Sequence, residues 1–273
     1  MKFIFNSAGA IARGSSHLKS GKPCQDNFYS ASKKKTIVIA LGDGAGSCSQ
    51  SEIGSELCTK YITEFLLINF NEIYNKDKKE IAKVLVSQLQ EELNLKAEEL
   101  KISIKDLSST LLFVAVKNNK FIAGHIGDGL IGTFHENGAK VFSRPENGEH
   151  GNETFFISQK IALNHFRVYK GNLKSIKGFI LMSDGSYDNL YNKKTNKLTQ
   201  ANLSFFTWLA DSNNSKGEVE LALKKTLEDK FTKKTSDDCS VVLLSTEHIE
   251  GYMDKVIKNV VNFFSKSTRF KIF

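Results

Sequence analysis

Proline is almost missing, 2 of 273 residues, and charged residues stop at 25% beside 40% hydrophobic ones. That balance excludes collagen-like, low-complexity and disordered chains and leaves an ordinary globular composition. Long apolar runs are also missing. None approaches the ~18 residues a membrane helix needs. The N-terminal MKFIFNSAGA has an apolar core of only three residues, short of the roughly 7–15 of an export signal. Cysteine is scarce, and Cys24, Cys48, Cys58 and Cys239 show no CxxC spacing, so a zinc finger is not indicated. Reduced thiols in a cytoplasm are the expectation.

What is present is a Lys-rich chain. Lys+Arg minus Asp+Glu is 38 − 30 = +8, which favours phosphate, nucleic acid or a lipid surface in general terms. The lysines are scattered in short runs such as Lys33–Lys35 and Lys193-Lys194 without interleaved aromatics. A solvated surface is therefore expected, and no nucleic acid.

The length suits one large domain or two small ones, and no linker or repeat divides it. TIVIAL (36–41) is a continuous apolar run, expected as a strand buried on both faces. Ile53, Leu57, Tyr61 and Phe65, then Ile81, Leu85, Leu89 and Leu93, recur at helical spacing. LLFVAV (111–116) and FIAGHI (121–126) are joined by four residues, too few for a parallel crossover, so they form a hairpin. LIGTF (130–134) and AKVF (139–142) give a second. FILM (179–182) and SVVLLS (240–245) are further strands, and 217–230 reads as helix. Hairpins mixed with helical blocks indicate an α+β fold with strands enough for two sheets. Residues 1–246 are expected to form the main domain. The tail, 247–273, carries an apolar helical stripe from Ile249 through Met253, Val256, Ile257, Val260 and Val261 to Phe264, with basic residues around it. A helix packed on its own domain is the favoured expectation, over one lying on an anionic membrane or in a partner groove.

Three times an apolar strand runs into a small residue and then Asp-Gly: IALGDG to Gly44, GHIGDG to Gly129, ILMSDG to Gly185. Asp237-Asp238 precedes SVVLLS. Asp-Gly is a strong turn signal, and at Asp128 a strand follows at once, as a hairpin requires. After Asp43 and Asp184 no clean strand follows. The alternative is a set of carboxylates gathered at one rim of the sheets. Clustered like charges need a cation, and an all-oxygen donor set suits Mg²⁺ or Mn²⁺ rather than zinc.

The ordered set Gln25-Asp26, Gly42-Asp43-Gly44, Ser109-Thr110, Gly127-Asp128-Gly129, Ser183-Asp184-Gly185 and Asp237-Asp238-Cys239-Ser240 resembles the metal-dependent protein phosphatases of the 2C type. GSSHLKSGKPCQD and Gly151-Asn152-Glu153-Thr154 are similar to a bacterial branch of that family. The resemblance implies two packed antiparallel sheets flanked by helices, an α-β-β-α sandwich. It implies a phosphoserine/phosphothreonine phosphatase acting on phosphorylated proteins through a hydroxide held by two Mn²⁺ or Mg²⁺ ions, and a monomer. By position, Asp43 would bridge the ions, with the Gly44 carbonyl on one of them. Asp184 and Asp237 would complete the first ion's ligands, Asp26 would hold a metal-bound water, and Asp128 would help hold a third, weaker ion. His17, Arg13 and Lys22 are the candidates for gripping phosphate, His17 being preferred and also a candidate catalytic group.

The sequence departs from the family pattern at two places. Ala45 stands where many members have a proposed proton-donor His, and Gln25 where many have Glu. These departures keep open a regulatory module that binds phosphoproteins without hydrolysing them. An aspartyl-phosphate phosphotransferase using Asp43 is disfavoured, because such sites usually need a second Asp where Ala45 stands. Thr110 is expected to bond backbone, and Asp238 and Asp188 to act as turn and capping residues.

Overall fold

The structure, a computed structural model, describes residues 2–148 and 154–249. The chain runs β1 (Lys2–Ala12), α1 (Ser15–Ser20), β2 (Asp26–Lys33), β3 (Thr36–Asp43), α2 (Ser51–Asn75), α3 (Lys78–Leu100), β4 (Leu111–Lys117), β5 (Lys120–Ile126), β6 (Leu130–His135), β7 (Gly138–Ser143), α4 (Ala162–His165), β8 (Arg167–Asn172), β9 (Gly178–Met182), α5 (Asp184–Leu190), β10 (Tyr191–Asn192), β11 (Lys197–Leu198), α6 (Gln200–Ala210), α7 (Lys216–Thr226) and β12 (Cys239–Ile249).

Two five-stranded antiparallel sheets form the centre, ordered β1-β12-β9-β6-β7 and β2-β3-β4-β5-β8. The strand pattern explains the layers. Side chains alternate across a strand, and on β3 Val38 and Ala40 pack towards α2 and α3 while Ile37, Ile39 and Leu41 pack towards the other sheet. On β4, Leu111, Phe113 and Ala115 face the helices and Leu112, Val114 and Val116 face the second sheet. Both faces are buried, so the runs are apolar throughout instead of alternating. The first sheet repeats this: Ile180, Met182, Val241 and Leu243 pack with Leu209, Leu223 and Leu227 from α6, α7 and the turn beyond it. Phe179, Leu181, Val242 and Leu244 face inward. The α-β-β-α sandwich is the fold expected.

Both expected hairpins form, with Lys117 opposite Lys120 and His135 opposite Gly138. The third does not. β5 pairs with β4 and β8, whereas β6 pairs with β7 and β9. Asp128 therefore sits where the chain crosses from one sheet to the other. Gly127 makes the crossing at φ +106°, a conformation open to glycine. A turn signal is local and carries no information about which sheet the next strand joins.

β12 runs to Ile249, opposite Lys2. The strand thus continues past 246, and Ile249 of the tail's stripe ends it. The rest of the tail lies outside the described residues, as do Asn152 and Glu153. Among the described residues no helix is long and apolar enough to cross a membrane.

Candidate active site

Strand register collects the acidic residues. Asp26 begins β2 and Asp43 ends β3, and the two are direct cross-strand partners. In the other sheet Met182 pairs with both Val241 and Leu130. The chain leaving β9 at Asp184, entering β12 after Asp237 and entering β6 after Asp128 therefore meets at one end. A cleft of about 670 Å³ opens there, lined by Asp43, Gly44, Ala45, Gly46, Ser47, Thr110, Asp128, Asp184 and Asp237 together with Gly148, Thr154, Phe155, Phe156, Gln159 and Ile161. Asp26 lies behind this lining, 2% exposed, with Oδ2 buried and without a hydrogen-bond partner.

The turn after β3 is held tightly. Asp43 N–H donates to Thr110 Oγ1 at 3.0 Å, which gives Thr110 the backbone-bonding role expected of it. Gly44 N–H donates to the Gln25 carbonyl at 3.1 Å. A Cβ on Gly44 would meet the Ser51 and Gln25 carbonyl oxygens at 2.8 and 2.9 Å, so the motif needs glycine.

Burial and mutual repulsion push the carboxyls upward. Asp43 is raised well above the usual range by burial, then by the charges of Asp26, Asp184, Asp237 and Asp128. Asp26 is raised by burial, with Asp238 and Asp184 adding to it and the Ser240 and Ser183 hydroxyls opposing it. Burial, then Asp128 and Asp237, bring Asp184 to about 6 despite hydrogen bonds with Asp43 and Gly185 N–H. Asp128 and Asp237 are raised as well, each chiefly by burial. Among the described residues the cleft lining contains no Lys, Arg or His. Among the described residues no three Asp, Glu, His or Cys side chains are drawn together tightly enough to ligate one ion as they stand. The donor chemistry nevertheless fits a hard divalent cation: carboxylate and carbonyl oxygens, excess negative charge and an orphaned buried oxygen on Asp26.

The three expected phosphate-gripping residues lie outside this lining. Arg13 is exposed and donates to the Lys22 carbonyl at 3.3 Å. Lys22 Nζ donates to the Gly46 carbonyl at 3.0 Å, at the cleft's edge. His17 is buried, and its Nδ1 meets Asp238 Oδ2 at 2.9 Å. Asp238, expected to cap a turn, also binds backbone N–H groups more than 200 positions away. Sequence reasoning singled out neither the aromatic wall of Phe155 and Phe156 nor Gln159. Their one signal was proximity to the Gly151–Thr154 motif.

Helices outside, two antiparallel sheets inside and a carboxylate cleft at one rim define the class as a phosphatase-like α-β-β-α sandwich. A family model described as protein phosphatase 2C matches residues 13–229, more than three quarters of the chain, and the chain belongs to that family. Asp237 and Asp238 lie just beyond the matched span. The chain is 24% identical over 163 residues to serine/threonine-protein phosphatase 3 of Escherichia coli K12, an alignment covering 57% of this chain and 64% of that protein, just under two thirds. Among solved structures, a bacterial serine phosphatase superposes with a TM-score of 0.62 at 14% identity, covering 92% of this chain and all of that one. RsbX in complex with magnesium gives 0.52 at 14% identity, with coverage of 89% and 96%. Likeness at such identities speaks for the fold.

Proposed function

We propose that this protein hydrolyses phosphoserine and phosphothreonine in phosphorylated proteins, with Mn²⁺ or Mg²⁺ in the acidic cleft. The observation that carries this is the charge of the lining: among the described residues it holds four aspartates and no basic side chain. A phosphate dianion is repelled from such a surface unless cations stand between. Asp43, Asp184 and Asp237 with the Gly44 carbonyl would hold the ions, Asp26 would act from behind, and Asp128 would serve a weaker third position. Bound there, divalent ions supply water activation and charge neutralisation on the phosphoryl oxygens. The chain's own groups orient the ester. Ser47, Thr154 and Gln159 offer polar contacts at the cleft, and Phe155, Phe156 and Ile161 wall it against water. Ala45, 9% exposed, places no proton donor where many relatives have a His. The domain, whose last strand runs on to Ile249, would act as a monomer in the cytoplasm. The four free cysteines agree with a reducing compartment.

The test is p-nitrophenyl phosphate hydrolysis with Mn²⁺, with Mg²⁺ and with EDTA, for wild type and Asp43→Asn. Metal-dependent turnover lost in the variant is expected. Full turnover in EDTA, or in the variant, refutes the reading. A folded protein that binds Mn²⁺ and a phosphopeptide without releasing phosphate would instead be the regulatory module that Ala45 and Gln25 allow.

A further inference from the structure

The stretch 13–26 ends at Asp26, directly behind the cleft lining. What holds that end is a carboxylate from the far end of the chain. Asp238 Oδ1 accepts Gly14 N–H at 2.6 Å, and Oδ2 accepts Gln25 N–H at 2.6 Å and meets His17 Nδ1 at 2.9 Å. Asp238 and His17 are 2% and 8% exposed. A carboxylate only accepts, so Nδ1 carries the hydrogen. α1 delivers His17 to this position, and Gly21, at φ 71°, ends the helix in the left-handed conformation before the chain reaches Gln25. Ser16 fastens the same two stretches, donating to the Ser236 carbonyl through N–H at 3.0 Å and Oγ at 2.6 Å.

The neighbours of these contacts give them meaning. Gln25 adjoins Asp26, and Asp238 adjoins Asp237. One buried carboxylate thus joins the backbone beside one cleft acid to the backbone beside another. It also spans the two sheets, because Asp26 starts a strand of one and Asp237 precedes a strand of the other. Removing the imidazole would leave Oδ2 with one donor and an empty space, freeing the carboxylate to turn and Gln25 to follow it.

We propose that His17 and Asp238 form a positioning pair that fixes the spacing of Asp26 relative to Asp237 and thereby sets the cleft's affinity for its divalent ion. The proposal rests on reading the cleft as a cation site. It replaces phosphate gripping as the role of His17, whose Nδ1 is committed to Asp238.

The experiment is Mn²⁺ titration of the full chain, followed by electron paramagnetic resonance of the free ion. Wild type, His17→Ala, His17→Asn and Ser16→Ala are compared, with KM and kcat measured on p-nitrophenyl phosphate alongside. Asn can present its amide N–H close to the place of Nδ1. His17→Ala is expected to weaken Mn²⁺ binding about tenfold or more. His17→Asn should restore most of it, and Ser16→Ala, which keeps the N–H bond to the Ser236 carbonyl and leaves Asp238 untouched, should stay near wild type. If His17→Ala does not fold, the Asn variant decides: affinity near wild type supports the pair, and affinity as weak as a tenfold loss overturns it. Unchanged Mn²⁺ affinity in His17→Ala overturns it too, and a raised KM beside that result would make His17 a phosphate ligand after all. A wild-type chain that binds no Mn²⁺ overturns the cation reading and this proposal together, whereas equal binding by wild type and His17→Ala overturns the proposal alone.

Discussion

Replacing Asp184 by Asn should stabilise the metal-free protein while abolishing its response to metal. The structure sets the size of the effect. Burial, then the charges of Asp128 and Asp237, carry the Asp184 carboxyl from 3.8 to about 6. At about 1.4 kcal/mol per pKa unit, keeping it ionised in the fold costs about 3 kcal/mol at pH well above 6. This is a ceiling, because Asp184 shares its repulsion and a hydrogen bond with Asp43. Asn keeps the oxygen that accepts Gly185 N–H, so a net gain of about 1–2 kcal/mol is expected. The sign follows from linkage. The folded state binds this proton more tightly than the unfolded chain does. The group's stabilising contribution is therefore present below a pH of about 4 and is lost as pH rises through about 6. Urea unfolding in EDTA should show Asp184→Asn more stable than wild type at about pH 8, with the gap shrinking at about pH 4.5. Mn²⁺ should then raise wild-type stability, by about 2.7 kcal/mol at a hundredfold excess over Kd, and leave the variant nearly unmoved. A variant no more stable than wild type at pH 8 in EDTA would refute the account of the cleft as a set of mutually repelling, buried carboxylates.

Other expectations come from packing and from single hydrogen bonds. Thr110→Val removes the acceptor of Asp43 N–H at nearly constant shape. It should cost about 1–3 kcal/mol in urea unfolding and lower metal-dependent turnover. Gly54→Ala would place a Cβ 2.0 Å from the Leu107 carbonyl oxygen. Pushing α2 off that turn should cost about 1–3 kcal/mol, and a neutral result in thermal unfolding would contradict the packing described. Phe113→Ala empties the core between β4 and the helices, where Phe113 is fully buried. A loss of about 3–5 kcal/mol is expected.

Legibility differed from element to element for physical reasons. β3 and β4 were plain because strands buried on both faces must be apolar throughout. The first strand was not, because Ala8, Ala10 and Ala12 supply its buried face and small side chains carry little periodic signal. Gly9 must also stay small, since a Cβ there would lie 2.6 Å from the Phe28 ring. Asp43 and Asp184 stood out because Asp-Gly at a strand end without a following strand lacks a hairpin's explanation, and Asp237 because an acidic pair stands directly before a strand. His17 was expected to grip phosphate, and its contact with Asp238 was not foreseen. Its partner Asp238 is 221 positions away, and no local pattern pairs them.

The amino-acid sequence by itself determined the apolar central strands and the two long helices, that there are strands enough for two sheets, and that acidic residues lie beside several strand ends. Those properties follow from side-chain periodicity and backbone preference, which act over a few residues. Only the tertiary structure decided that Asp128 marks a crossing between sheets, that Asp26 faces Asp43, and that Asp238 ties the two acidic ends of the chain together. Those facts depend on strand register and sheet order, which the whole chain settles by burying its apolar faces at once.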